Sequence, residues 1–213
     1  MQEYFGKVMM AERKIFGGPA FTKSNVRSLP MKSGDLNLID REYLSEAMKS
    51  EIHLIFGASF IKGWLAEELV QLGAINIHMG LSPHYRGSSC NFWAMYDERP
   101  QFVGATVHKL SKGLDSGDML FHVRPEFDDQ DPFVFTMLAV RAVQDEIVLQ
   151  ISAKTLLGHP AREQDRALQL RYSRNADFTD SIAREFLSRP VAPNTLADQL
   201  QAASQPLLLL PER

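Results

Sequence analysis

The sequence predicts an α/β fold with a mostly parallel sheet flanked by helices, and three observations carry that reading. Ile52–Gly57 and Ala74–His78 are short apolar runs, Trp64–Leu72 between them has helical spacing, and Asp131-Pro132 opens a long amphipathic segment. Strand, helix and strand within 27 residues is the rhythm of a βαβ unit. Such crossovers are nearly always right-handed, and their strands are covered on both faces.

Each element has a local reason. Met1–Phe16 admits a helix, which Gly17-Gly18-Pro19 would break. Asp40 is placed to cap a helix carrying Tyr43, Leu44, Ala47 and Met48 on one side. Ile52–Gly57 reads as a buried strand ending in glycine, Gly73 as the stop of helix Trp64–Leu72, and Ala74–His78 as the next strand. A Gly/Pro-rich loop follows, then a short helix over Ser88–Asp97, a β-rich run over Phe102–Leu110 and a strand over Met119–Val123. Asp131 can accept from the free amides of a first helical turn, where Pro132 sacrifices no hydrogen bond. The helix they open carries Phe133, Met137, Val140, Val143, Ile147 and Ile151 at spacings of three and four, a core-facing stripe without chemistry. A short segment at Arg171–Arg174 and a short helix over Asp180–Leu187 come next. The expected organisation is one domain over residues 1–188, atypical over 1–40, and an irregular tail over 189–213.

Composition narrows the function classes. The chain has 213 residues, 45% hydrophobic and 23% charged, ordinary values for a globular protein. No apolar run approaches the roughly 18 residues of a membrane span, and the start Met1–Lys7 lacks the basic and apolar regions of a secretory signal. Cys90 is the single cysteine, so no intrachain disulfide is possible, and a cytoplasmic location is the economical expectation. A net charge of −3 and no dense Lys/Arg cluster argue against nucleic acid as a partner. Six histidines and Cys90 show no HExxH or CxxC spacing, so no metal site is expected. There is no P-loop and no GxGxxG. Tyr85–Ser89 could present amides and a guanidinium to an anion, but the signal is weak and a simple helix start explains it better.

The stretch Ile75–Gly87, INIHMGLSPHYRG, raises the chemical question. Alternate strand side chains share a face, so Ile75 and Ile77 serve the core while Asn76 and His78 point the other way. Gly80 and Pro83 end the strand just there, where doubly wound sheets open their ligand crevices. Two readings stand: satisfied polar residues at a strand end, or a site. The loop Lys112–Asp118 is likewise either a tight turn or the source of a carboxylate for His78. A carboxylate there would hold the imidazole and favour its protonated form. Asn76 beside a cationic His78 would suit an oxyanion on an attacked carbonyl. None of these residues is a good nucleophile, which points to direct transfer of an acyl-like group.

From Ile52 to Val123 the chain resembles the folate-dependent formyltransferase family. The resemblance rests on Phe56–Ile61, on Asn76 and His78 as Asn-x-His, on Leu81–Gly87, on Gly104–His108 as Gly-Ala-Thr-Val-His, and on Gly113–Asp118 as Gly-Leu-Asp-Ser-Gly-Asp. It implies a Rossmann-like formyltransferase domain and 10-formyltetrahydrofolate as formyl donor. The family's catalytic Asn, His and Asp fall on Asn76, His78 and Asp115. Ser59, Phe60 and Ile61, with Gly113 and Leu114, match where the family holds the pterin, and His108 is a secondary candidate there, with a structural strand histidine equally open. The implied reaction is attack of an amine on the formyl carbon, with Asn76 and protonated His78 stabilising the oxyanion and Asp115 helping to remove the amine's proton.

The resemblance also bears on which branch this is. In the family the Asn-x-His strand follows a longer portion than the 75 residues before Asn76, so an N-terminally shortened domain lacking the first strand and helix is expected. The 60 residues after Ala153 leave little room for the nucleic-acid-binding domain of the tRNA-acting branch. Neither the phosphate loop of the glycinamide-ribonucleotide branch nor the extra regulatory domain of the formyl-folate hydrolases is recognisable. Arg86-Gly87 followed by Asn91-Phe92-Trp93 is more like the branch acting on nucleotide-linked amino sugars. A small amine acceptor is therefore the first expectation. The alternatives are a catalytically impaired fold that binds folate or a partner protein, and a methionyl-tRNA or glycinamide-ribonucleotide formyltransferase relative.

Overall fold

The computed structural model describes residues 1–18, 21–113, 115–127, 131–189 and 195–211. Its centre is a four-stranded sheet of β1 (Leu54–Phe56), β2 (Ile75–His78), β4 (Ala105–Lys109) and β5 (Met119–Val123), in the order β1-β2-β4-β5. A two-stranded sheet pairs β3 (Tyr85–Gly87) with β6 (Arg171–Ser173) in parallel. The expectation of parallel strands holds for the βαβ unit, where helix α3 (Gly63–Gln71) joins β1 to β2. Beyond it the sheet is mixed, because β4 and β5 both run antiparallel to their neighbours. A β-bulge between Val107 and His108 lets Met119 sit opposite His108 while Phe121 sits opposite Val107.

Strand alternation divides the sheet chemically. Ile75, Ile77, Ala105, Val107 and Phe121 are buried against Val143 and Ile147 of helix α5 (Pro132–Ser152). The opposite face carries Asn76 and His78 on β2, Thr106 and His108 on β4, and His122 on β5. Over this polar face the chain after β2 folds back. Thr106 Oγ1 donates to the Gly80 carbonyl and accepts from Ser82 N, and His122 Nε2 donates to the Ser82 carbonyl. The face therefore holds the loop that the site needs.

Helices cover the rest. Asp131 caps α5 by accepting from Phe133 N at 2.7 Å and Val134 N at 3.2 Å, as expected for Asp-Pro. Helix α1 (Gln2–Phe16) lays Tyr4, Val8, Ala11 and Ile15 on Phe133, Val134, Met137 and Leu138 of α5. Asp40 precedes only one turn, α2 (Arg41–Leu44), and its side chain makes no cap bond. Helix α4 (Cys90–Tyr96) seats Phe92 and Trp93 against Phe135, Phe178 and Phe186, the last of these from α6 (Asp180–Ser188).

Two expectations change. The loop after β2 contains the strand β3, whose partner lies 86 residues further on. The tail, expected to be irregular from Arg189, forms helix α7 (Thr195–Ala202), which buries Leu196 in the α4 cluster. Residues beyond it pair with β5: His122 N donates to the Leu209 carbonyl, and Leu209 N donates to His122 Nδ1. Among the described residues no helix is long and apolar enough to cross a membrane.

Candidate active site

Asn76, His78 and Asp115 come together at the C-terminal end of β2, in a cleft of about 790 Å³. Asn76 and His108 sit directly opposite on β2 and β4. The Asn76 side-chain nitrogen lies 3.0 Å from His108 Nε2 and donates to Asp115 Oδ1 at 3.2 Å. His78 Nδ1 faces Asp115 Oδ2 at 3.4 Å, and its Nε2 faces the Tyr85 carbonyl at 3.1 Å. His108 Nδ1 lies 2.8 Å from the Lys109 carbonyl, so it carries the ring's proton and leaves Nε2 to accept from Asn76.

The ring of His78 has an acceptor at each nitrogen. Either neutral tautomer sets one lone pair against an oxygen, and only the imidazolium satisfies both contacts. Burial works against that charge: it is the largest influence on His78, Asp115 opposes it, His108 adds to it, and the net direction is below the ordinary histidine value. A standing imidazolium, the sequence-based expectation, is therefore not the form that burial favours. The gap between His78 Nδ1 and Asp115 Oδ2 is instead a place where an arriving proton is held well. Asp115 is pushed up by burial, but His108 and His78 outweigh this, and the carboxyl lies below its usual range.

The backbone accounts for where the carboxylate sits. Asp115 has φ of +43°, in the left-handed region that few residues other than glycine, asparagine and aspartate adopt. Gly117 packs so closely on β4 that a Cβ there would lie 1.7 Å from the Lys109 carbonyl. Ser111 Oγ donates to the Gly113 carbonyl and meets Ser116 Oγ at 2.9 Å, which tightens the turn.

The expected folate-side residues surround a recess that adjoins the main cleft. Ser59, Phe60, Ile61, His108 and Gly113 line it with Asn76 and Asp115, while Leu114 lies outside the described residues. Ile55 and Leu110 add apolar wall. Asn37, which sequence reasoning did not single out, ties down this segment: its side chain donates to the Phe60 carbonyl at 2.9 Å and accepts from Lys62 N at 2.7 Å. The other wall of the cleft is polar, with Ser88, Ser89 and Asn91, raised in the sequence only as a weak anion site and a branch signature, and with Arg174 and Asn175, which were not foreseen. Arg174 and Asn175 follow β6 directly, so their place depends on a strand pairing that carries no local signal. Among the described residues no group of three or more His, Cys, Asp or Glu is arranged to hold a metal ion.

The fold and the side chains at the end of β2 define a class. Residues 24–151 match the formyl transferase family, and the chain belongs to it. A methionyl-tRNA formyltransferase of Clostridioides difficile is 29% identical over 102 residues, which are 47% of this chain and 31% of that protein. The match thus spans about a third of that relative's length. Two solved structures share the fold. The formyltransferase PseJ from Anoxybacillus kamchatkensis, in complex with UDP-4,6-dideoxy-4-formamido-L-AltNAc and tetrahydrofolate, superposes with a TM-score of 0.53 at 19% identity, over 82% of each chain. A sugar N-formyltransferase from Shewanella sp FDAARGOS_354 gives a TM-score of 0.51 at 20% identity, over 64% of this chain and 54% of that one.

Proposed function

We propose that this protein transfers a formyl group from 10-formyltetrahydrofolate to the amine of a small acceptor, with a nucleotide-linked amino sugar as the favoured class. The observation that carries the proposal is the contact of His78 Nδ1 with Asp115 Oδ2, flanked by the Asn76 amide, in the wall of a cleft. The chemistry of the recess suits a pterin. It has apolar walls at Ile55, Ile61 and Leu110, and the exposed Ser59 adds a hydroxyl that can exchange hydrogen bonds. When bound, the donor would supply the formyl group and, as that group's bond to the folate nitrogen breaks, the leaving nitrogen, to which the His78–Asp115 pair can return the proton taken from the amine.

The protein's own groups do the rest. Asn76 directs N–H toward the formyl oxygen, where negative charge grows as the amine attacks. In the structure both Asn76 hydrogens are engaged, by His108 and by Asp115. The developing oxyanion would therefore take over one of these two hydrogens, releasing His108 Nε2 or Asp115 Oδ1 from its bond. The amine's proton passes to the His78–Asp115 pair, and the imidazolium so formed satisfies both of its acceptors at once. Charge on His78 thus appears as charge appears on the oxyanion, which favours the transition state over the ground state.

For the acceptor, the polar wall with Arg174, Asn175, Ser88 and Ser89 supports a hydroxyl-rich, anionic molecule. The nucleotide sugar in the PseJ complex is of that kind, and the net charge of −3 is poorly suited to tRNA. The test is calorimetric titration with a stable 10-formyltetrahydrofolate analogue, followed by a formyl-transfer screen over UDP- and dTDP-amino sugars, glycinamide ribonucleotide and methionyl-tRNA. Saturable binding and turnover of an amino sugar are expected. Binding without turnover of any amine would leave a folate-binding protein, and no binding by the folded chain would refute the proposal.

A further inference from the structure

Gln164 lies outside the family match and 49 residues from Asp115 in sequence, yet it is buried behind the Asp115 loop. Its side-chain nitrogen donates to the Asp115 carbonyl at 2.9 Å and to the Gly117 carbonyl at 2.8 Å. Both amide hydrogens are thereby used, and the orientation is fixed, because the flipped amide would set its oxygen against two carbonyls. Among the described residues, the buried side-chain oxygen has no hydrogen-bond partner. Leaving an acceptor unsatisfied is costly, so the amide is held in this orientation by the two bonds it makes.

Gln164 is itself firmly mounted. Two residues earlier, Arg162 exchanges both backbone hydrogen bonds with Met119, the first residue of β5, at 2.7 and 2.8 Å. Still earlier, His159 Nε2 meets the Gln150 side-chain oxygen at 2.9 Å, which ties the segment to α5. The segment is therefore a brace running from α5 along the edge of β5 to the back of the loop. What it braces is a residue in an unfavoured backbone state, since Asp115 has φ of +43°. A left-handed aspartate persists only where its surroundings over-determine it. The two carbonyls that Gln164 clamps lie on either side of Ser116, so the clamp orients the peptide planes that aim the Asp115 side chain.

We infer that Gln164 is a positioning residue for formyl transfer: its amide holds the Asp115 loop so that the carboxylate stays against His78 Nδ1 and the Asn76 amide. This rests on Asp115 being the carboxylate that receives the amine's proton through His78. It adds a residue that touches no substrate and lies on a segment unrelated to the motifs.

The test uses Gln164→Met, which keeps the length and loses both donors, in the full chain. With a donor and acceptor that the wild-type protein turns over, kcat is expected to fall about a hundredfold, the penalty of misplacing a reacting group by about an ångström. The acceptor KM should stay within about threefold, because ground-state binding is untouched. The second readout needs no turnover: ring-nitrogen NMR shifts of His78 followed across pH in the unliganded protein. If the clamp aims the carboxylate, His78 becomes harder to protonate in the variant, since Asp115 is the group that opposes burial there. An unchanged His78 titration in a folded variant overturns the inference, whatever happens to kcat. If Gln164→Met does not fold, Gln164→Asn, which keeps the donors one methylene short, is measured in the same way. Should the wild-type protein transfer formyl to no amine, the proposed reaction fails, while the His78 titration still decides whether Gln164 aims Asp115.

Discussion

Replacing Asp115 by asparagine isolates the charge of the carboxylate from its shape. The backbone there has φ of +43°, a region asparagine enters as readily as aspartate, so the loop has no reason to move. His78 Nδ1 and Asp115 Oδ2 are 3.4 Å apart. At an effective dielectric of about 20, opposite unit charges at that distance attract by about 5 kcal/mol. Burial of both groups takes back part of this, leaving about 3 to 4 kcal/mol for an imidazolium that forms as the amine gives up its proton. That corresponds to a loss of about 10²- to 10³-fold in kcat, within the usual range for one general acid–base group. The assay is single-turnover formyl transfer at saturating donor and acceptor, with folding checked by thermal unfolding and donor affinity by calorimetry. Affinity should change little, because the variant keeps an oxygen at the Asn76 amide. A folded Asp115→Asn protein that works within about fivefold of the wild-type rate would refute the assignment of Asp115 as the proton-receiving partner.

Other perturbations test the scaffold. Gly117→Ala puts a Cβ 1.7 Å from the Lys109 carbonyl, so the loop must shift; a loss of about 1–3 kcal/mol in urea unfolding is expected, together with a larger proportional loss of activity. Asp131→Ala removes both cap bonds of α5 and should cost about 1 kcal/mol, lowering the melting temperature by about 2–4 °C without altering donor affinity. His122 is held below the ordinary histidine value, chiefly by burial, with the Ser82 carbonyl opposing and His84 adding to the shift. The unfolded chain then binds the proton more tightly, so stability is complete above about pH 6.5 and is lost as pH falls below it. The urea midpoint is expected to drop between about pH 7.5 and 5.5, and less steeply in His122→Gln.

What was legible in the sequence was whatever a short period or a single capping residue enforces. Two-residue alternation puts Asn76 and His78 on one face whatever the rest of the chain does, and β2 obeys it. Asp131-Pro132 starts a helix for reasons contained in its own first turn. The contacts that complete the site are of another kind. The partner of His78 Nε2 is the Tyr85 carbonyl, and a carbonyl belongs to every residue type. β3 is three residues long and finds β6 across 86 positions, so neither strand has a pattern of its own. α7 is only eight residues long, with Leu196 and Leu200 one turn apart, and is fixed by burying Leu196 among residues of α4 and α5. Gln164 is polar and follows an irregular segment, and only the fold puts it behind Asp115. The meeting of Asp115 with His78 was implied by resemblance; the residues alone left the loop open between a tight turn and the source of a carboxylate for His78.

The site residues share one manner of support, and it explains why so much of the scaffold is irregular. His78 is steadied from behind by the Tyr85 carbonyl, His108 by the Lys109 carbonyl, and the Asp115 loop by the Gln164 amide. In each case a group away from the cleft uses up one side of a polar residue and leaves the other side for its neighbour in the site. Both carbonyls belong to strand-end residues, Tyr85 opening β3 and Lys109 closing β4, where the ladder gives way to other partners. The bulge at Val107/His108, the strand end that presents the Tyr85 carbonyl and the left-handed Asp115 are the departures from regularity that accompany these contacts. Each lies at a strand end or in a loop held by a rigid element, where strain is tolerated because the sheet and α5 fix both flanks. A substitution that relaxed one of these departures would therefore be expected to leave the fold standing and weaken the chemistry. That is the asymmetry the Asp115 and Gln164 variants are designed to expose.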